Sequence, residues 1–230
     1  MKKTLSVIIL AAFLCMPVVA GDIATFLNLG FSEDSRYFMF GQYGVQTPSG
    51  HPYGDIFIVN VRDNNFVENG VFSREFSHVL EPGQNAIGAF LELYSDAEEV
   101  SQSRGVNHLE TGKLLYLLLN GDRPRSVLNF RDFETGYHYS VSLMQNSRGE
   151  GDDVESAFHI QLTVTDDTGY NRNFTVGLPN YYRDHVRGYT IRQILISPDA
   201  ASLVFVLEKQ IIENGEVNIR YMVETVRAFS

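Results

Sequence analysis

Two matching stretches near opposite ends of the chain most constrain its fold. Residues 31–40 read Phe-Ser-Glu-Asp-Ser-Arg-Tyr-Phe-Met-Phe, and residues 196–205 read Ile-Ser-Pro-Asp-Ala-Ala-Ser-Leu-Val-Phe. Laid over each other without gaps, Ser32 falls on Ser197, Asp34 on Asp199 and Phe40 on Phe205. The match continues with Gly50 on Gly215, Val61 on Val226 and Arg62 on Arg227. Each copy spells a strand end, a tight Ser-x-Asp turn, an apolar strand, a hairpin loop and a second strand. Ser and Asp side chains bond nearby backbone N–H groups, which is what tightens such a turn. In Tyr37-Phe38-Met39-Phe40 both alternating faces are apolar, so this strand is expected to be buried on both sides. With one unit at each end of the sequence, the two are expected to meet as neighbouring strands of one sheet.

Between the copies the periodicity changes. Ile87, Phe90, Leu91 and Tyr94 recur at i, i+3, i+4 and i+7 after Pro82-Gly83-Gln84-Asn85, and Gly105 ends the pattern. This predicts one amphipathic helix at about 84–104. Residues 114–119 and 126–130 flank Asn120-Gly121-Asp122, and residues 157–165 and 173–176 flank Asp166-Asp167-Thr168-Gly169. Both read as hairpins. Residues 137–144 and 189–196 are further strands, and residues 146–155 read as an exposed, mobile acidic loop. The expected class is mainly β, with antiparallel strand–turn–strand repeats arranged as a partial propeller or a twisted two-sheet domain.

The first twenty residues read differently. Met1, Lys2 and Lys3 precede an apolar run, and Val18 and Ala20 occupy the small-residue positions of a cleavage site. That is a secretory signal peptide, too short to span a bilayer, which takes about 20 apolar residues. Leu14 before Cys15 is not the small residue that lipidation requires, so a lipoprotein is not expected. Cys15 is the one cysteine, so a chain cut after Ala20 has no disulfide and no thiolate chemistry. Residues 21–230 suit one exported domain, periplasmic or secreted. The net charge is −10, which repels phosphate backbones and argues against nucleic acid as a partner. No later apolar run is long enough for a membrane-spanning helix.

The Phe-Ser-x-Asp-x-Arg-Tyr-Phe-x-Phe stretch resembles the strand–turn–strand of TolB-like and prolyl-peptidase-like β-propeller blades. The usual Gly after Asp is replaced by Ser35 and Ala200. The mature chain is also similar to a family of bacterial predicted secreted proteins without an assigned function. The likeness runs from Gly21-Asp22 through residues 30–40, Tyr43-Gly44, Tyr53 and Asp55-Ile56-Phe57-Ile58 to the central helix and Gly188-Tyr189-Thr190-Ile191. It implies export and fold class, and no activity.

Motifs for chemistry are missing. The six His stand singly, with no His-Glu-x-x-His, and no nucleophile elbow, P-loop or dinucleotide fingerprint occurs. The acidic run at 150–155 lacks the alternation of a calcium loop. No cofactor and no metal site are expected. Two loops carry the residue types of recognition surfaces. Residues 41–54 hold Tyr43, His51 and Tyr53, and residues 179–189 hold Tyr181, Tyr182, Arg183 and His185. Aromatic, Arg and His side chains on loops suit binding of an envelope protein, a peptide or a glycan. The leading reading is a non-catalytic envelope binding protein. A hydrolase using carboxylates and a His gathered in space, and a small outer-membrane barrel, are the alternatives.

Overall fold

The computed structural model describes residues 21–81, 83–213 and 215–229; the expected signal peptide, and with it Cys15, lies outside them. In chain order come β1 (Thr25–Ser32), β2 (Tyr37–Val45), β3 (Pro52–Asn60), β4 (Asn65–Glu75), α1 (Ile87–Ser103), β5 (Val106–Asn107) and β6 (Lys113–Leu117). Then follow β7 (Val127–Arg131), β8 (His138–Arg148), β9 (Glu155–Thr165), β10 (Asn171–Val176), β11 (Arg183–Asp184), β12 (Val186–Ile196), β13 (Ser202–Glu213) and β14 (Glu216–Arg227). The class is mainly β, as the sequence implies. Three antiparallel sheets form: an N-terminal sheet β4-β3-β2-β1-β5, a middle sheet β14-β13-β12-β6, and an outer sheet β10-β9-β8-β7 with β11 on β9. Among the described residues they remain open sheets and do not close into a barrel.

The two Ser-x-Asp stretches fold into the same turn. Ser32 Oγ donates to Asp34 Oδ1 at 2.6 Å and accepts the Tyr37 N–H at 3.0 Å. Ser197 Oγ likewise donates to Asp199 and accepts the Ser202 N–H at 2.9 Å. Asp34 and Asp199 each take a further backbone N–H, from Arg36 and Ala201, at 3.1 Å. Ser35 and Ala200, where propeller blades carry Gly, have φ of 57° and 56°. The turns also touch, because the Asp199 N–H donates to Ser35 Oγ at 3.2 Å.

The middle sheet lies between the other two. Residues 202–207 of β13 are all buried, and their side chains divide by parity. Val204 packs with Phe31, Phe38 and Phe40 of the N-terminal sheet, and Val206 with Ala24 and Tyr53. Leu203, Phe205 and Leu207 pack with Val141, Phe158, Ile160 and Leu162 of the outer sheet. The turn-bearing units therefore stack face to face and do not adjoin within one sheet. One parallel bridge, Ile23 to Ile219, links them edgewise ahead of β1. Covering two broad apolar faces of β2 and β13 removes more apolar surface from water than pairing edges does, and stabilisation grows with the apolar area removed.

α1 covers the free face of the N-terminal sheet. Asn85 Oδ1 accepts the Ile87 N–H at 2.8 Å at its start. Phe90, Leu93, Ala97 and Ser101 are buried, against Met39, Ile56 and Ile58. Leu91, expected on that face, is 58% exposed. It follows Phe90 by roughly 100° around the helix, and the docking ridge runs through Leu93 instead. Gly41 permits the close approach: a Cβ there would stand 2.5 Å from Phe90 Cε2.

Three connections differ from the sequence reading. β6 and β7 do not form a hairpin across Asn120-Gly121-Asp122, since β6 pairs with β12 and β7 with β8. Turn residues permit a hairpin, but the ladder partner is chosen by packing elsewhere. Strand β2 continues to Val45 and β3 begins at Pro52, so the first tyrosine loop is shorter than residues 41–54. The exposed loop is shorter than residues 146–155, since the ladder runs on to Arg148 opposite Glu155 and a 3-10 turn at Gly151–Asp153 lies between them. The far face of the outer sheet is polar. Thr163 and Thr165 hydroxyls donate to Asn173 and Asn171 at 2.7 and 2.6 Å, and Ser140 and His138 stand opposite the same threonines.

Candidate functional site

The first loop sends its side chains in two directions. The Tyr43 ring packs on Phe90 with centroids 5.6 Å apart. His51 Nδ1 lies 2.9 Å from Glu75 Oε1. Tyr53, at the start of β3, is buried and donates its hydroxyl to Asp22 Oδ1 at 3.0 Å. The Arg220 guanidinium lies 4.2 Å over the Tyr53 ring and reaches Asp22 Oδ2 at 2.7 Å. Burial raises the Tyr53 phenol well above its ordinary value. Burial also raises the Asp22 carboxyl, although the charge of Arg220 opposes it.

The second loop leaves the outer sheet and returns into β12. Tyr181 is 55% exposed, and the Arg183 guanidinium sits 4.8 Å from its ring centroid and 5.3 Å from that of Phe158. Tyr182 lies under Arg148 at 3.9 Å, and its hydroxyl accepts from Asn146 Nδ2 at 2.6 Å. His185 has φ of 59°, and its Nδ1 lies 2.6 Å from the Asp152 carbonyl. Arg183 Nη2 is 3.7 Å from Glu224 Oε1. Glu224 is buried, which raises its carboxyl, while an Asn64 amide bond opposes that shift. Arg183 and Glu224 line a pocket of about 280 Å³ together with Asn64, Asn65, Phe66 and Met222.

A polar row across the middle sheet joins parts of the two loops. Lys209 stands opposite Tyr189 on β12 and opposite Arg220 on β14, so the three share a face. Tyr189 is the acceptor of a 3.5 Å bond from Arg183 Nη1. Tyr53 is thus linked to Arg183 through Arg220, Lys209 and Tyr189, whereas Tyr43 and His51 lie with α1 and β4. Burial lowers the Lys209 ammonium, and neighbouring Arg183 and Arg220 add to this. Sequence reasoning passed over Lys209, Arg220 and Glu224. The signal was present, since charges inside strands otherwise apolar on both sides need partners.

The arrangement offers fixed guanidinium groups and phenols, suited to hydrogen bonding and ionic recognition. Among the described residues no three His, Cys, Asp or Glu are grouped so as to hold a metal. No described helix is long and apolar enough to cross a membrane. Fold and site together define an open, mainly antiparallel β protein with anchored aromatic and guanidinium groups at its loops. The model of a family described as predicted secreted protein (DUF2259) matches residues 39–227, and the chain belongs to that family. Comparison with curated proteins gives no match.

Proposed function

We propose that this chain is a non-catalytic envelope binding protein, exported to the periplasm or beyond by a cleaved segment ending at Ala20. It takes its partner through loops held on the stacked sheets. The observation that carries this reading is the second loop, where exposed Tyr181 is braced by Arg183 and Tyr182 by Arg148 and Asn146. Tyrosine and arginine dominate binding energy at protein surfaces, and side chains fixed beforehand lose little entropy on binding. Tyr43 and His51 provide a second, smaller patch beside α1. The hydrolase alternative lacks a supporting observation: His51 and His185 are tied to Glu75 and the Asp152 carbonyl. A barrel is not favoured by sheets that stay open.

The test uses residues 21–230 immobilised and exposed to envelope extract, with any retained partner purified and titrated back by calorimetry. The double variant Tyr181→Ala, Tyr182→Ala is expected to weaken that partner by about tenfold or more, the loss of one good anchor. Retention of nothing, combined with turnover of any member of a hydrolase substrate panel, would sink the proposal.

A further inference from the structure

β6 and β7 are consecutive strands that end in different sheets, and each is the last strand of its sheet. β6 has its ladder with β12 and β7 with β8, so the opposite edge of each strand has no ladder partner among the described residues. Both edges line one cleft of about 590 Å³, floored by Tyr116 and Phe130, whose rings stack 6.1 Å apart. One end is bolted by Lys113 Nζ, 2.8 Å from Asp132 Oδ1 and 2.6 Å from Glu134 Oε2. The other end is the loop carrying Asp122, Arg123 and Arg125, which also line the cleft. Among the described residues Arg36, Arg74, Arg148, Arg183, Arg192 and Arg220 have a carboxylate within 4 Å; Arg123 and Arg125 do not, in common with Arg62, Arg104, Arg131, Arg172, Arg187 and Arg227, and of these eight they are the two that line this cleft. In a chain with 28 acidic and 18 basic side chains, two unpaired guanidiniums at one cleft mouth mark it for a negatively charged occupant.

From these features we infer that the cleft between β6 and β7 takes an extended acidic peptide as an added strand. Exposed strand edges supply N–H and C=O groups in register for such a peptide. Five-residue edges offer about 17 Å of ladder. Alternate peptide side chains point to opposite faces, so apolar ones meet Tyr116 and Phe130 while carboxylates between them reach Arg123 and Arg125. Guanidinium binds carboxylate in paired hydrogen bonds, which sets the charge preference. This site is separate from the second tyrosine loop and does not depend on it.

The experiment selects from a library of random peptides displayed on phage, using folded residues 21–230 as bait, and synthesises the enriched peptides. Enrichment of alternating apolar and acidic sequences is expected. Their amide-exchange footprint should cover Lys113–Leu117 or Val127–Arg131. The double variant Arg123→Glu, Arg125→Glu should lose about tenfold or more in affinity, on the scale of lost charge pairs, with an unchanged circular dichroism spectrum. Tyr181→Ala should leave the affinity intact, which separates this site from the loop. The inference fails on any of three results: no enrichment, affinity indifferent to the charge reversal, or equal binding by a backbone N-methylated peptide that cannot form a ladder.

Discussion

Ser35 and Ala200 occupy a conformation that costs a non-glycine residue about 1–2 kcal/mol, at φ of 57° and 56°. Ala200→Gly relieves that strain but loosens the unfolded chain, a cost of roughly 0.5–1 kcal/mol. A net gain of about 0.5–1 kcal/mol in urea unfolding is the expected result. Ser35→Gly should gain less, because Ser35 Oγ accepts the Asp199 N–H that joins the turns. Asp199→Ala removes the acceptor for Ser197 and for the Ala201 N–H, and should cost about 1–2 kcal/mol. Glu224 gives a pH signature. Burial raises its carboxyl above 4.5, so the folded state holds that proton to higher pH than the unfolded chain does. Stability from this group is greatest below 4.5 and is lost as pH rises through the folded value. Urea midpoints measured upward from pH 4.5 should fall more steeply in the parent protein than in Glu224→Gln. Equal slopes would remove Glu224 as the cause. The turn residues were legible because their chemistry is local. Glu224 was not, because its partners Asn64 and Arg183 arrive from distant parts of the chain.

Two hairpin signals of equal local quality had different outcomes. Asp166 accepts the Thr168 and Tyr170 N–H groups, and β9 pairs with β10 as its sequence implies. Asn120-Gly121-Asp122 instead joins strands that belong to different sheets, since Ile194 of β12 takes Tyr116 as its ladder partner. Turn chemistry states that the chain can reverse, and long-range packing decides what it pairs with. The helix shows the same limit at finer grain. Its existence follows from apolar spacing, but its orientation depends on the sheet beneath it. Leu93→Ala, on the buried ridge, is expected to cost about 2–5 kcal/mol. Leu91→Ala should change stability by less than about 0.5 kcal/mol. Gly41→Ala should cost about 1–3 kcal/mol by pushing against Phe90. A Leu91→Ala cost equal to that of Leu93→Ala would show that the helix is seated differently.

At the scale of the molecule, burial of β2 on both faces was legible in a run without polar alternation, and residues 202–207 of β13 prove buried on both faces as well. Their mutual arrangement was not legible, because apolar faces state that they are covered without stating by what. Phe40 and Phe205, equivalent by sequence, make this concrete. Phe40 faces the middle sheet, and Phe205 faces the outer one. The two units therefore point the same way along the stack, head to tail. An arrangement of that kind has no intrinsic last member, since every face that receives a neighbour implies another face able to receive the next. Its length must be set at its ends. Here α1 terminates one end, and the ladder of threonine and asparagine bonds on the outer sheet terminates the other. The polar sheet face is thus a stop signal: it gives a fourth sheet little apolar surface on which to stack.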